Sequence, residues 1–336
     1  MKIGVIGSGS WGMTLAMQLL KNNNDVSVWF FDKSQYDEAT TTHELKDFLP
    51  GISLPIELEF TMDLETAVRG KDVILLAVPS HVVRLTSGKI KPFVGRDTIL
   101  VNVAKGIEND SLLRMSQVIQ EVMGDANDRR ICTLSGPTHA EEVSKGMPST
   151  IVAGASNIDT AEKIQKIFFS DTLRVYTNTD IIGVELGGSL KNVIAISAGV
   201  LAGMGFGDNT LAALLTRGLF EITRLGVLLG AKEDTFAGLS GMGDLIVTCL
   251  SEHSRNRHVG FELGKGRKLE EILSEMKMVA EGVKTAKSVH QLGQKMQIEL
   301  PISEQIYQVL FEGRSAKEAV ITLMGRDPVE ERHSIK

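Results

Sequence analysis

The first twelve residues constrain the fold of this chain more than any other segment. An apolar stretch, Lys2–Ile6, has the length and composition of a buried strand, and Gly7, Gly9 and Gly12 follow it with the spacing GxGxxG. Gly7 permits a tight turn, Gly9 lets the backbone approach a pyrophosphate, and Gly12 lets the next helix pack on the strand. This order of strand, loop and helix predicts a site for the phosphates of a dinucleotide, because the free N–H groups of the helix face the loop.

The first half of the chain continues to alternate strand-like and helix-like segments. Helices are predicted at Trp11–Lys21 and Leu112–Met123, and we expect Ser10 and Trp11, at the start of the first helix, to contact the dinucleotide. Several strands are continuous apolar runs, which is typical of strands buried on both faces of a parallel sheet. The predicted strands are Lys2–Ile6, Val26–Phe31, Val73–Val78, Thr98–Val103, Ile131–Leu134 and Thr150–Ala153. The alternation predicts an α/β fold whose N-terminal domain is a doubly wound, Rossmann-type dinucleotide-binding domain.

The pattern changes in the second half of the chain. Leucine and isoleucine recur there at helical spacing, as at Leu190 and Ile194, and no later segment is typical of a strand. We therefore expect an all-helical C-terminal domain, with a boundary inside a helix that begins around Ile181. The predicted domains are residues 1–185, which bind the dinucleotide, and residues 186–336, which bind the substrate.

Composition and charge disfavour several classes of protein. The 336 residues carry a formal net charge of −6 and only 5% aromatic residues, so no nucleic-acid partner is expected. No uninterrupted apolar stretch of about 20 residues occurs, so we expect no membrane insertion and a cytoplasmic location. The two cysteines, Cys132 and Cys249, are predicted to be reduced and buried. No metal is expected, because the cysteines and histidines lack metal-binding spacing.

Reactive side chains follow two of the predicted strands, where the ligand crevice of a doubly wound sheet lies. Lys105 comes shortly after Val103, and Gly136 and Thr138 come shortly after Leu134. The turn at Gly136 could present backbone N–H groups, and Thr138 its hydroxyl, to an anionic substrate. These segments therefore predict the substrate end of the crevice.

The helical half contributes further candidates, each with a structural alternative. Lys191 lies in an apolar helix, and a lysine is seldom fully buried without a partner, although its side chain could also reach the surface. Asp244 could act in the site or cap a helix. The segment Ser254-Arg255-Asn256 could bind phosphate, or Arg255 could be a plain surface residue. His139 is interpreted as a loop residue rather than a catalytic base.

The residues after the second strand leave the identity of the dinucleotide open. Asp32 favours NAD, because an acidic residue here usually binds the ribose 2′-hydroxyl. Lys33 could instead accept the 2′-phosphate of NADP. The predicted cofactor is therefore NADP or NAD, without a preference.

Together these motifs resemble the bacterial NAD(P)-dependent glycerol-3-phosphate dehydrogenases. The resemblance extends over nearly the whole chain and is most specific in Ile182–Ile196 and Ser254–Arg257. In the same order it also covers Gly7–Gly12, Val101–Gly106, Ser135–Ala140, Gly238–Cys249, Val279–Glu281 and Pro301–Leu310. It implies an oxidoreductase that interconverts dihydroxyacetone phosphate and sn-glycerol 3-phosphate by hydride transfer with NAD(P)H. Such an enzyme supplies glycerol 3-phosphate for glycerophospholipid synthesis.

The same resemblance implies roles for individual residues. Lys191 would accept the proton when the alcohol is oxidised and donate it when the ketone is reduced, with Lys105 and Asp244 completing the catalytic group. Two neighbouring ammonium groups should also lower each other's pKa. The substrate site would contain Lys105, Gly136, Thr138, Lys191, Asp244, Ser254, Arg255 and Asn256. Besides the glycine loop, the cofactor would contact Phe31, Lys105, Ala140, Arg255, Val279 and Glu281.

Phe31 departs from the pattern of the family. Members that use NADPH often have histidine or arginine at this position. Phenylalanine could stack on adenine, but it cannot pair with a 2′-phosphate.

Two other functions are compatible with the sequence. A dehydrogenase with the same two-domain plan could act on a β-hydroxyacid or a 2-ketoacid, although Lys105 and Arg255 suit a phosphate monoester. A nucleotide-sensing protein could have kept the fold and lost turnover, although the presence of both Lys105 and Lys191 argues against it. The apolar helical half could support a homodimer.

Overall fold

A computed structural model gives the fold of the chain and describes residues 1–124, 128–276, 278–328 and 330–331. Among these residues, eight strands form one sheet: β1 (Lys2–Ile6), β2 (Asp25–Trp29), β3 (Glu59–Thr61), β4 (Val73–Leu76), β5 (Ile99–Asn102), β6 (Ile131–Ser135), β7 (Ser149–Gly154) and β8 (Leu173–Asn178). Their order is β3-β2-β1-β4-β5-β6-β7-β8, and neighbours are parallel except β6 and β7. Chain order reverses beside β1, so the crevice beyond the carboxyl ends of β1 and β4 is where such a sheet binds ligands.

Seven helices accompany the sheet and nine follow it in the described residues. Those of the first half are α1 (Ser10–Lys21), α2 (Lys33–Thr42), α3 (Leu64–Val68), α4 (Val83–Ile90), α5 (Met115–Met123), α6 (Ala140–Val143) and α7 (Ile158–Phe168). Those of the second half are α8 (Ile181–Gly203), α9 (Asp208–Leu228), α10 (Glu233–Phe236), α11 (Asp244–Leu250), α12 (Arg255–Gly264), α13 (Leu269–Glu275), α14 (Glu281–Met296), α15 (Pro301–Phe311) and α16 (Ala316–Met324). A π-helical turn, Leu239–Gly243, leads into α11. The predicted α/β fold with a helical C-terminal half is confirmed.

The predicted strands are confirmed to within two residues at each end, and two further strands were missed. β3 is only three residues long, and β8 alternates buried and exposed residues at the edge of the sheet, so neither is a continuous apolar run. One helix start was wrong: α5 begins at Met115 rather than Leu112. Leu112 has a φ of 60° and belongs to a turn before the helix.

Helix α8 is the centre of the second half. It is long and apolar enough to cross a membrane, but 94% of its most apolar window is buried inside the protein. α12 packs closely on it, because a Cβ at Gly260 would lie 1.9 Å from the carbonyl oxygen of Ile196. The same approach brings Asn256, near the start of α12, within hydrogen-bond distance of Asn192 on α8.

The first turns of α8 also contact the sheet. Glu185 accepts hydrogen bonds from the backbone N–H of Ser116 at 2.8 Å and from the hydroxyl of Thr133 at 3.3 Å. The change from strands to helices falls between Asn178 and Ile181. Because α8 joins both halves, a domain boundary near residue 185 stays a prediction.

Candidate active site

A cleft opens between the carboxyl edge of the sheet and the helical half, and the glycine loop forms one wall. Gly7 has a φ of 122°, and a Cβ at Gly12 would lie 2.2 Å from the carbonyl oxygen of Gly7. A Cβ at Gly9, in contrast, would meet no atom within 4 Å. The N-terminus of α1 has no side-chain cap and no acidic residue in its first turn. Its free N–H groups therefore fit the phosphates of a dinucleotide.

Two residues after β2 line the same cleft. Phe31 exposes 78% of its surface, and Asp32 caps α2 by accepting a hydrogen bond from the N–H of Gln35 at 2.9 Å. Lys33 lies outside the cleft, with its ammonium 2.7 Å from the carboxylate of Asp37. The structure thus brings Phe31 to the glycine loop and separates Lys33 from it.

Asp244 joins the two candidate lysines deep in the cleft. Lys191 donates a hydrogen bond to one of its carboxylate oxygens, and Lys105 donates to the other at 2.6 Å. The side chain of Asp244 is only 1% exposed and that of Lys191 only 5%. Gly188 allows this meeting, because a Cβ there would lie 2.3 Å from the hydroxyl of Ser135 and 3.7 Å from Cδ of Lys105. Neither alternative, a surface lysine at 191 or a capping role for Asp244, describes this arrangement.

Burial and neighbouring charges determine the protonation states of Lys191 and Asp244. Burial lowers the pKa of Lys191 to about 7, with Asp244 acting against that shift and Lys105 adding to it. Burial would raise the pKa of Asp244, but the two ammonium groups outweigh it and hold that pKa below its usual range. The site therefore contains an amine that can gain or lose a proton near neutral pH beside a permanent carboxylate.

The start of α12 holds three of the predicted residues in different ways. Arg255 is exposed to the cleft and donates a hydrogen bond to the carbonyl of Val279 at 3.1 Å. The Asn256 amide is engaged on both sides, donating to Asn192 at 2.9 Å and accepting from the N–H of Gly282 at 2.9 Å. The Ser254 hydroxyl accepts a hydrogen bond from the backbone N–H of residue 257, so it caps α12. Arg255 is thus the member of this segment best placed to bind an anion.

The remaining predicted residues lie around the same cleft or just behind it. Thr138, Ala140 and Glu281 line it, whereas Gly136 lies behind, where its carbonyl accepts a hydrogen bond from Lys105 at 3.4 Å. Glu281 accepts hydrogen bonds from both the backbone N–H and the hydroxyl of Ser80. These two hydrogen bonds join the start of α14 to the loop after β4, across the cleft.

Sequence reasoning missed some residues of the site. The Thr248 hydroxyl accepts a hydrogen bond from Lys191 at 2.5 Å, and its position four residues after Asp244 places it on the same face of α11. Asn192 was overlooked although it is adjacent to Lys191. His139 lies in the loop before α6, where burial and the charge of Lys191 lower its pKa. Its side chain lines the cleft, and its Nε2 atom is buried without a hydrogen-bond partner among the described residues.

Cys132 and Cys249 are buried free thiols, as predicted. Among the described residues, no group of three or more histidine, cysteine, aspartate or glutamate side chains is placed to hold a metal ion.

Comparisons with known proteins point to one family over most of the chain. Models of the N-terminus and the C-terminus of NAD-dependent glycerol-3-phosphate dehydrogenase match residues 2–161 and 180–321. A glycerol-3-phosphate dehydrogenase (NAD(P)+) of Thermoanaerobacter sp. is 49% identical over 335 residues, which is 100% of both chains. That of Geobacter metallireducens is 50% identical over 331 residues, covering 98% of this chain and 99% of the relative.

Solved structures show the same relationship. The crystal structure of glycerol-3-phosphate dehydrogenase from Coxiella burnetii is 33% identical and has a TM-score of 0.92, covering 97% of this chain and 99% of that one. A ketopantoate reductase from Ralstonia eutropha, at 13% identity and a TM-score of 0.62, shares the fold alone. By its two family models and its full-length relatives, the chain belongs to the NAD-dependent glycerol-3-phosphate dehydrogenase family.

Proposed function

We propose that this chain interconverts dihydroxyacetone phosphate and sn-glycerol 3-phosphate with NAD(P)H. One observation carries the proposal: Lys191 and Lys105 share the buried carboxylate of Asp244 beside a cleft that begins at the glycine loop. A carbonyl held there would meet a proton donor and a second positive charge at the place where negative charge develops. The named activity of the relatives is a reaction of this kind.

The mechanism assigns separate tasks to the two lysines. The reduced cofactor, when bound, supplies a hydride to the carbonyl carbon. Lys191, whose pKa of about 7 lets it exchange a proton near neutrality, donates that proton to the developing alkoxide. Lys105 stabilises the same oxygen electrostatically. Asp244 holds both ammonium groups in place, and the roles of acid and base exchange when the alcohol is oxidised.

The phosphate of the substrate needs a separate cationic group. Arg255 faces the cleft from the start of α12, and its planar guanidinium can bind two phosphate oxygens at once. Thr138 adds a hydroxyl from the sheet side. Asn256 acts by holding the starts of α12 and α14 against Asn192, since its amide is engaged on both sides.

Cofactor contacts follow from the residues along the rest of the cleft. The loop Gly7–Gly12 would hold the pyrophosphate, with Ser10 and Trp11 at the start of α1. The other cofactor contacts we propose are Phe31, Lys105, Ala140, Arg255, Val279 and Glu281, all of which line the cleft.

Replacing Lys191 by alanine tests the proposal. A positioned general acid contributes about 10²–10⁴-fold to a rate. We therefore expect Lys191→Ala to lower kcat for dihydroxyacetone phosphate at least about a hundred-fold, with the dissociation constant for the cofactor retained. Wild-type turnover in this variant would remove Lys191 from the role. The rates of the wild type with β-hydroxyacids and 2-ketoacids should be compared with its rate for dihydroxyacetone phosphate. Faster turnover of one of these acids would indicate a different substrate.

We further propose that the protein is a cytoplasmic homodimer that supplies glycerol 3-phosphate for glycerophospholipid synthesis. A groove lined by apolar residues of α8, α9, α15 and α16, among them Val200, Leu214, Ile306 and Leu323, supports an interface between two copies. Sedimentation of the purified chain would measure its oligomeric state, and a monomer would contradict this part of the proposal.

A further inference from the structure

The imidazole of His139 lies at the wall of the cleft with one ring nitrogen that has no partner. His139 is the last residue of the loop between β6 and α6, and its side chain lines the cleft. Its Nε2 atom is buried, and none of the described residues forms a hydrogen bond with it. A buried nitrogen that stays unpaired costs free energy, and the large majority of such atoms in proteins have a partner. A ligand bound in the cleft would supply that partner.

The loop keeps its shape without a capping bond from this side chain. His139 caps α6 through its carbonyl oxygen, which accepts hydrogen bonds from the N–H groups of Glu142 at 3.1 Å and Val143 at 3.0 Å. Its side chain makes no capping hydrogen bond, and its backbone is extended, with a φ of −99°. The ring of His253 lies 6.0 Å away between centroids, so the two rings are near neighbours without a hydrogen bond. The imidazole is therefore available to a ligand.

The surroundings of His139 keep its imidazole neutral. Burial lowers the pKa of His139, and the positive charges of Lys191 and Lys105 add to that shift. The charge of Glu141 and a hydrogen bond to the backbone of Val247 act against it. A neutral imidazole has one nitrogen that donates and one that accepts, and a hydroxyl group can do both. Whichever role Nε2 takes, a hydroxyl of the substrate is a suitable partner.

Dihydroxyacetone phosphate has one polar group that the proposed site leaves without a partner. Its carbonyl meets Lys191 and Lys105, and its phosphate meets Arg255 and Thr138. The remaining group is the hydroxyl on the carbon next to the carbonyl. We propose that Nε2 of His139 forms a hydrogen bond with this hydroxyl and so selects a hydroxymethyl ketone over a ketone that lacks the hydroxyl. The inference rests on the proposed function.

Two other tasks suit His139 less well. A phosphate group would favour the charged imidazolium, which burial and the two neighbouring lysines oppose. Proton donation to the carbonyl oxygen is already assigned to Lys191, which lies in the same cleft. A contact with the neutral hydroxyl needs neither a charge nor a proton transfer.

Two substrates that differ by this hydroxyl test the inference. Acetonyl phosphate is dihydroxyacetone phosphate without the hydroxyl, and it keeps both the carbonyl and the phosphate. His139→Phe keeps a ring of similar size but removes both nitrogens. We expect this variant to lower kcat/KM for dihydroxyacetone phosphate about tenfold, the factor of one hydrogen bond, and to leave kcat/KM for acetonyl phosphate nearly unchanged. Comparing each substrate across the two enzymes cancels the different reactivities of the two ketones.

Two further variants serve as controls. His139→Gln keeps an amide that can bond a hydroxyl, so it should recover part of the preference for dihydroxyacetone phosphate. His43 also has a buried ring nitrogen without a partner among the described residues, but it lies at the end of α2 and does not line the cleft. Asparagine tolerates the left-handed backbone of that residue, so His43→Asn should match the wild type with both substrates.

The outcomes separate this inference from the proposed function. Equal losses for both substrates in His139→Phe overturn the inference, because they indicate a structural role or a contact with the phosphate that the two substrates share. A wild type that reduces acetonyl phosphate as efficiently as dihydroxyacetone phosphate also overturns it, whether or not the variants fold. If the wild type reduces neither ketone, the proposed function itself fails.

Discussion

Replacing Asp244 by asparagine tests whether one buried carboxylate controls the protonation of Lys191. The substitution keeps the size of the side chain but removes the negative charge that raises the pKa of Lys191, while Lys105 still lowers it. A hydrogen bond to a charged group contributes about 1.5–3 kcal/mol, and one pKa unit corresponds to about 1.36 kcal/mol. The pKa of Lys191 should therefore fall from about 7 in the wild type to about 5 or 6 in the variant.

The direction of the effect on activity follows from the proton that Lys191 holds. Ketone reduction needs the protonated amine, so kcat/KM of the wild type for dihydroxyacetone phosphate should decline above pH of about 7. In Asp244→Asn the decline should begin above pH of about 5 or 6, and at neutral pH the variant should be about tenfold slower. Oxidation of glycerol 3-phosphate needs the neutral amine, so its rising limb should move to lower pH.

Profiles of kcat/KM against pH, recorded in both directions, would measure these shifts. The dissociation constant for NADH, determined on the same preparations, controls for folding and for the integrity of the glycine loop. If the wild-type and Asp244→Asn profiles superimpose, the carboxylate does not set the pKa of Lys191 and the reasoning is refuted.

Other substitutions distinguish effects on ligand binding from effects on the stability of the fold. Gly9→Ala should keep the wild-type Tm but weaken cofactor binding, because its Cβ meets no protein atom, whereas Gly12→Ala should lower the Tm, because its Cβ would lie 2.2 Å from a backbone oxygen. Equal Tm values for the two variants would contradict this. Arg255→Ala should raise KM for dihydroxyacetone phosphate about tenfold, and an unchanged KM would exclude phosphate binding there. Burial raises the pKa of Glu221 to about 7, so the folded state binds the proton more tightly than the unfolded chain does. Stability should therefore fall by up to about 3 kcal/mol as the pH rises from about 4.5 through 7, and Glu221→Gln should remove that dependence in thermal unfolding.

The local elements were predictable because their signals lie in neighbouring residues. Val73–Leu76 is a continuous apolar run, so a strand buried on both faces follows from composition. The spacing of Gly7, Gly9 and Gly12 follows from the steric requirements of one turn and of one helix start. These two features lie within a few residues of each other. β3 and β8 escaped prediction because edge strands are short or half exposed, and the sheet rather than the sequence holds them in place.

The sequence by itself determined the strand, loop and helix at the N-terminus, the succession of strands and helices, and a lysine in an apolar helix. Only the tertiary structure decided which charged side chains contact each other. Lys105 follows β5, Lys191 lies in α8 and Asp244 begins α11, and their contact depends on close packing of α8 against Ser135 at Gly188. Lys33 pairs with Asp37 on α2 and does not line the cleft, an outcome that the sequence left open. The protonation of Lys191 likewise depends on burial and on charges brought from distant segments, and those exist only in the folded chain.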